Sequence, residues 1–179
     1  MKSQNIFLAA CGVLAVVAFS LFPNFARKES PDGLPGGSVP APPFSLEALN
    51  GEKIRLLNFR GKVIILDFWA TWCAPCQEGI PELNRLQKEY QDQGLVVIGL
   101  SLDRGGPDQV RRFLKQKGAE YLNAMGSEEV FQAYSSLLGL GKIQGIPTAF
   151  VIDREGRVQK KFVGLTRKQT FEAAIKPLL

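Results

Sequence analysis

Asp67-Phe68-Trp69-Ala70-Thr71-Trp72-Cys73-Ala74-Pro75-Cys76 is the stretch on which the fold turns. The run from Val63 to Trp69 is almost wholly apolar, which predicts a strand covered on both faces. Two cysteines separated by two residues follow at once. A helical pattern begins behind them, with Leu83, Leu86 and Tyr90 on one face and an end near Tyr90. A C-x-x-C pair at a strand-to-helix turn marks a dithiol that cycles between thiols and a disulfide. With the second cysteine in the first helical turn, the two sulfurs come close enough to bond without backbone movement. The first sulfur then lies at the helix N-terminus, where unpaired N–H groups and the helix dipole favour its thiolate, the species that attacks disulfides. A permanent structural disulfide, or two inert buried thiols, is the plainer alternative for the same residues.

Outward from this centre, strands and helices alternate. On the N-terminal side, residues 44–49 and 53–56 flank Asn50-Gly51, a hairpin signal. On the C-terminal side, residues 95–100 predict a second buried strand. Pro107 and Asp108 open a helix whose apolar stripe is Val110, Phe113 and Leu114. Ser127 caps a further helix, with Glu128 and Glu129 near its positive end, and this helix is expected to end around Gly139 to Gly141. Residues 148–152 and 158–163 read as strands about a turn at Asp153-Arg154-Glu155-Gly156. Thr166-Arg167-Lys168-Gln169 reads as a capping box that opens a last helix toward Pro177. The pattern implies an α/β domain with a sheet flanked by helices and preceded by a β-hairpin extension.

Three regions are expected: a signal anchor or transmembrane segment at 1–26, a Pro/Gly-rich linker at 27–43, and the domain at 44–179. From Ile6 to Phe22 there are 17 residues without a charge, the short end of what spans a bilayer but long for a cleaved signal peptide. An uncleaved anchor with the domain outside the cytoplasm is therefore expected. The alternatives are a cleaved signal peptide and a lipoprotein acylated at Cys11 within Leu8-Ala9-Ala10-Cys11. Pro23, Pro31, Pro35, Pro40, Pro42 and Pro43, with Gly33, Gly36 and Gly37, favour an extended tether that holds the domain off the membrane.

Composition excludes other chemistry. A formal net charge of +5 is mild and its basic residues are scattered, so no nucleic-acid partner is expected. The densest cluster, Arg111, Arg112, Lys115 and Lys117, reads as the solvated face of a helix. Histidine is absent, which removes Cys–His nucleophilic catalysis and any metal or haem held by a histidine of this chain. The three cysteines fall short of a closed four-cysteine zinc site, so no metal and no cofactor beyond the dithiol is expected.

Phe68-Trp69-Ala70-Thr71-Trp72-Cys73-Ala74-Pro75-Cys76, together with the distant Gly145-Ile146-Pro147-Thr148, resembles the thioredoxin superfamily. Pro81 matches the proline of its active-site helix and Asp67 its buried aspartate. The order of anchor, linker and redoxin domain is similar to the TlpA/ResA group of membrane-anchored thioredoxins. The resemblance implies a thioredoxin-like fold with a central mixed sheet, Cys73 as nucleophile and Cys76 as the resolving thiol. It also implies a cis Ile146–Pro147 bond packed opposite the cysteines, with Trp72, Pro75, Ile146 and Pro147 meeting the substrate. Trp69 belongs to the core. Asp67, a carboxyl on an apolar strand, should have its pKa raised by desolvation, which suits a proton acceptor for Cys76; a purely structural aspartate is the alternative.

The chain departs from the TlpA/ResA group in one respect. Many members have asparagine at position 67 and a functional glutamate three residues after the second cysteine; here Gly79 stands there, and Glu78 is one place early. The glutamate's role is therefore not assigned to Glu78. The function implied is an extracytoplasmic, membrane-tethered protein-disulfide reductase supplied with electrons by a CcdA/DsbD-type membrane partner, with substrates such as apocytochrome c. Two rivals are a peroxiredoxin-type peroxidase, whose P-x-x-x-T-x-x-C frame is missing, and a non-catalytic chaperone for thiols or haem.

Overall fold

The structure, a computed structural model, describes residues 38–137 and 141–179. The expected anchor, Cys11 and the linker up to Gly37 lie outside the described residues. In chain order the elements are β1 (Val39–Pro40), β2 (Ser45–Glu47), β3 (Lys53–Arg55), β4 (Val63–Trp69), α1 (Ala74–Tyr90), β5 (Leu95–Ser101), α2 (Pro107–Lys117), β6 (Leu122–Met125), α3 (Glu128–Ser135), β7 (Thr148–Ile152), β8 (Arg157–Val163) and α4 (Lys168–Ile175). Six strands form one mixed sheet in the order β1-β8-β7-β4-β5-β6, and β2 and β3 form a separate hairpin. β4 pairs in parallel with β5 and antiparallel with β7. It therefore has a neighbour on both sides and helices over it, and all seven of its residues are buried. This is the thioredoxin-like α/β fold.

Strand alternation sorts β4 into two layers. Ile64, Leu66 and Phe68 pack with Phe150 of β7, Ile54 of the hairpin and Tyr134 of α3. The Phe68 ring lies 5.6 Å from that of Tyr134 and 6.0 Å from that of Phe150. Val63 and Ile65 pack on the opposite side, against Ile80, Leu83 and Leu86 of α1 and Phe171 and Ile175 of α4. Asp67 continues this second, odd-numbered row. Trp69 ends it, stacking toward Phe113 of α2 at 5.9 Å and donating its indole N–H to Asn123 Oδ1 at 3.1 Å. A methyl group at position 99 would collide with that asparagine oxygen, so the close passage of β5 beneath it requires Gly99.

α4 is held to α1 by polar contacts as well as apolar ones. The Tyr90 hydroxyl donates to Glu172 at 2.5 Å, and the Lys168 ammonium bridges Glu172 and Glu89 at 2.7 and 2.8 Å.

Several local expectations are corrected. The chain joins the sheet before Phe44: Val39 pairs with Val158, Pro40 with Arg157, and Ala41 donates to the Gly156 carbonyl at 3.0 Å. Proline fits there because an edge strand can spare its N–H. β6 was absent from the sequence pattern; Leu-Asn-Ala-Met carries no β-branched residue and owes its extension to β5. α3 ends at Ser135 rather than near Gly139, as the Ser136 hydroxyl bonds back to the Gln132 carbonyl at 2.8 Å. The capping box at Thr166 does not form. The Thr166 hydroxyl turns to the Gly164 carbonyl, and the first N–H of α4, on Lys168, is taken instead by Glu82 of α1 at 3.0 Å. Among the described residues no helix is long and apolar enough to cross a membrane.

Phe68→Ala should destabilise the domain by about 3–5 kcal/mol, because an aromatic ring is lost where neither layer can collapse. Denaturant unfolding measures this, and a loss below 1 kcal/mol would contradict the packing described.

Candidate active site

Cys73 caps α1. Its backbone is extended, and the N–H of Cys76 points at its sulfur at 3.2 Å. Ala74 and Pro75 fill the first helical turn, where a proline sacrifices no helical hydrogen bond, and Cys76 follows. The two sulfurs form a disulfide across Cα atoms 5.2 Å apart. Both cysteines are nearly buried, at 6% and 4% exposure. Opposite them the Ile146–Pro147 bond is cis, and the Ile146 carbonyl oxygen lies 3.6 Å from Cys73 Sγ. Thr148 fixes this turn by donating its hydroxyl to the Gly145 carbonyl at 2.7 Å. The two tryptophans diverge sharply: Trp69 is 1% exposed and Trp72 is 70% exposed. Pro75 is exposed as well, Ile146 half-buried and Pro147 buried.

Asp67 and Cys76 meet at a small cavity. Its lining includes Gly79 and Leu83 of α1, Pro147, and Leu165 and Thr166 of the loop before α4. Its volume of about 20 Å3 is the room that one water takes. Burial pushes the Asp67 carboxyl up to about 8, because the low-dielectric interior penalises the anion. At position 79 an added Cβ would meet nothing nearer than Leu165 at 3.8 Å, so the glycine leaves open space over this cavity. Glu78 is exposed.

A further buried acid has no signal in the local sequence pattern. Asp103, just beyond β5 and 7% exposed, accepts the Thr71 N–H at 2.8 Å, the Thr71 hydroxyl at 2.5 Å and the Ser101 hydroxyl at 2.7 Å. Gln77 of α1 donates to the Thr71 carbonyl at 2.7 Å. The partners lie 32 residues apart in the chain, so only the parallel pairing of β4 with β5 brings them together.

The sequence model of the AhpC/TSA family matches residues 38–161. The chain belongs to the AhpC/TSA family. Within it, the chain is 31% identical to the thiol-disulfide oxidoreductase ResA of Bacillus thuringiensis subsp. konkukian, over 97% of its own length and 92% of the relative's. ResA of Geobacillus thermodenitrificans is 32% identical over 92% and 91%. A crystal structure of a thiol:disulfide interchange protein from Chlorobium tepidum TLS superimposes with a TM-score of 0.71 at 32% identity, over 79% of this chain and 96% of that one. This AhpC/TSA protein is thus a thiol-disulfide oxidoreductase of the ResA type, with Cys73–Cys76 as its redox disulfide.

The raised Asp67 pKa sets a pH dependence of stability. Between about pH 4 and pH 8 the folded oxidised protein keeps a proton that the unfolded chain has released, so stability falls as pH rises through that window. Asp67→Asn removes the loss. The variant should match the parent near pH 4 and exceed it increasingly up to pH 8, by about 2–4 kcal/mol at pH 7. Urea unfolding of both oxidised proteins across this range measures the difference; parallel curves would contradict a buried neutral carboxyl.

Proposed function

We propose that this oxidoreductase works outside the cytoplasm, tethered by its N-terminal segment, as a reductant of particular protein disulfides. Support for the redox role comes from the Cys73 sulfur, which sits at a helix N-terminus under the Cys76 N–H and beside the Ile146 carbonyl. The N–H and the helix dipole stabilise negative charge on that sulfur.

In the forward reaction the Cys73 thiolate attacks one sulfur of the substrate disulfide. A bond forms between Cys73 and that sulfur, and the other substrate sulfur leaves as a thiolate. The Cys76 thiol then gives its proton to the Asp67 carboxylate, directly or through one water in the shared cavity, and attacks Cys73 Sγ. The Cys73–Cys76 bond closes, and the second substrate thiolate departs. Two electrons have passed from the dithiol to the substrate. In the recharging direction, protonated Asp67 returns the proton to Cys76 as an external dithiol opens the disulfide. The substrate chain runs past Trp72 and Pro75 and beside the backbone of Ile146 and Pro147. A CcdA/DsbD-type membrane protein supplies the external dithiol, and apocytochrome c before haem attachment is the proposed substrate.

The AhpC/TSA family match raises peroxide reduction as a second reading. Leu66 and Ala70 occupy the positions where the peroxidase frame would place its proline and threonine relative to Cys73, which disfavours it.

Cys73→Ala should abolish reduction of insulin disulfides, at least a hundredfold, whereas Cys76→Ala should accumulate mixed disulfides with its substrates on non-reducing gels. Full activity of the Cys73 variant, or rapid peroxide consumption by the parent, would overturn the assignment. Resolution of the mixed disulfide, followed by stopped flow, should quicken as pH rises toward 8 and lose that dependence in Asp67→Asn.

A further inference from the structure

We infer that Asp103 is a positioning residue that fixes Thr71 so that the exposed ring of Trp72 is presented to the protein substrate. The inference rests on the proposed contact between Trp72 and substrate. Every polar group of Thr71 is engaged: its N–H and hydroxyl by Asp103 and its carbonyl by Gln77. The Cys73 N–H closes the turn on the Ala70 carbonyl at 3.2 Å, and Leu102 donates to the Trp69 carbonyl at 2.8 Å. The backbone on both sides of Trp72 is therefore tied to β5, the segment behind it and α1, while the indole itself is 70% exposed.

Such an arrangement has a physical use. Cys73 is only 6% exposed, so a disulfide in a folded or partly folded protein reaches it over a narrow approach. Trp72 is the large exposed apolar side chain next to Cys73 in the chain. Ordering a loose aromatic side chain at the moment of binding would subtract from affinity, and a loop already held in place avoids this. A charged acceptor suits the task because hydrogen bonds to a carboxylate are stronger than those between neutral groups. Ser101 supplies a third donor to the same carboxylate and so offsets its burial. A small disulfide needs no such surface, and the two substrate classes thus separate positioning of Trp72 from reactivity of the sulfur.

The test uses the full-length chain carrying Thr71→Val, Asp103→Asn or Trp72→Ala, with steady-state reduction of insulin and of cystamine, a small disulfide. Thr71→Val keeps the side-chain shape and the N–H bond while removing the hydroxyl, and Thr71→Ser restores it. The chain has two tryptophans, so fluorotryptophan labelling gives two fluorine signals, and Trp72→Phe assigns them. Thr71→Val and Asp103→Asn should raise KM for insulin about five- to tenfold, leave kcat and cystamine reduction within twofold, and shift the Trp72 signal. Thr71→Ser should return all three to parental values. Equal losses on insulin and cystamine, or an unmoved Trp72 signal in the folded variants, would overturn the inference. An insulin KM unchanged by Trp72→Ala would instead refute the contact on which it rests, whatever the fluorine spectrum shows.

Discussion

A carboxyl group is forced into the dry interior because strand geometry leaves it nowhere else to go. β4 has a hydrogen-bonded neighbour on each side and a packed layer on each face, so each of its residues must choose a layer by parity alone. Asp67 falls in the row of Val63 and Ile65, the side covered by α1 and α4. The helix that covers it begins at Cys73, which brings Cys76 to the same cavity. The buried carboxyl and the second sulfur are therefore neighbours by virtue of period two in the strand and a turn of three residues after it. Ionisation of Asp67 near neutrality follows from this placement without any charged partner.

Much of this was legible in the chain. A run of six apolar residues interrupted by a single aspartate marked β4 as central, and the C-x-x-C behind it marked the start of α1. The strand pattern of Thr148–Ile152 and the capping Ser127 were also visible, since each is a local signal. What escaped detection depends on partners distant in sequence. β6 is extended because β5 holds it, α4 starts where Glu82 can reach Lys168, and Asp103 has meaning only when β4 and β5 lie side by side. The cis bond before Pro147 came from a resemblance rather than from local pattern; in the structure the Ile146 carbonyl faces the sulfur.

The placement of the carboxyl differs from the one expected of the TlpA/ResA group. Gly79 leaves space above the cavity, and the carboxyl enters from the strand below rather than from the helix. That route delivers one carboxyl to one water-sized void beside the second sulfur. A carboxyl on a buried strand is held more rigidly than one on a helix surface, and desolvation acts on it more strongly. The raised proton affinity of Asp67 is thereby built into the sheet itself.

The two borders of the sheet are also worth attention as surfaces. On one side, β1 contributes only two residues, one of them a proline that has no N–H to offer. On the other, β6 is four residues long and is crossed by the hairpin, where Ala48 bridges Ala124 and Leu49 donates to Asn123 at 2.7 Å. Among the described residues neither border presents a long free ladder that another polypeptide could extend. A protein that exchanges disulfides with other polypeptides thus offers them, in its described residues, little sheet edge on which to anneal.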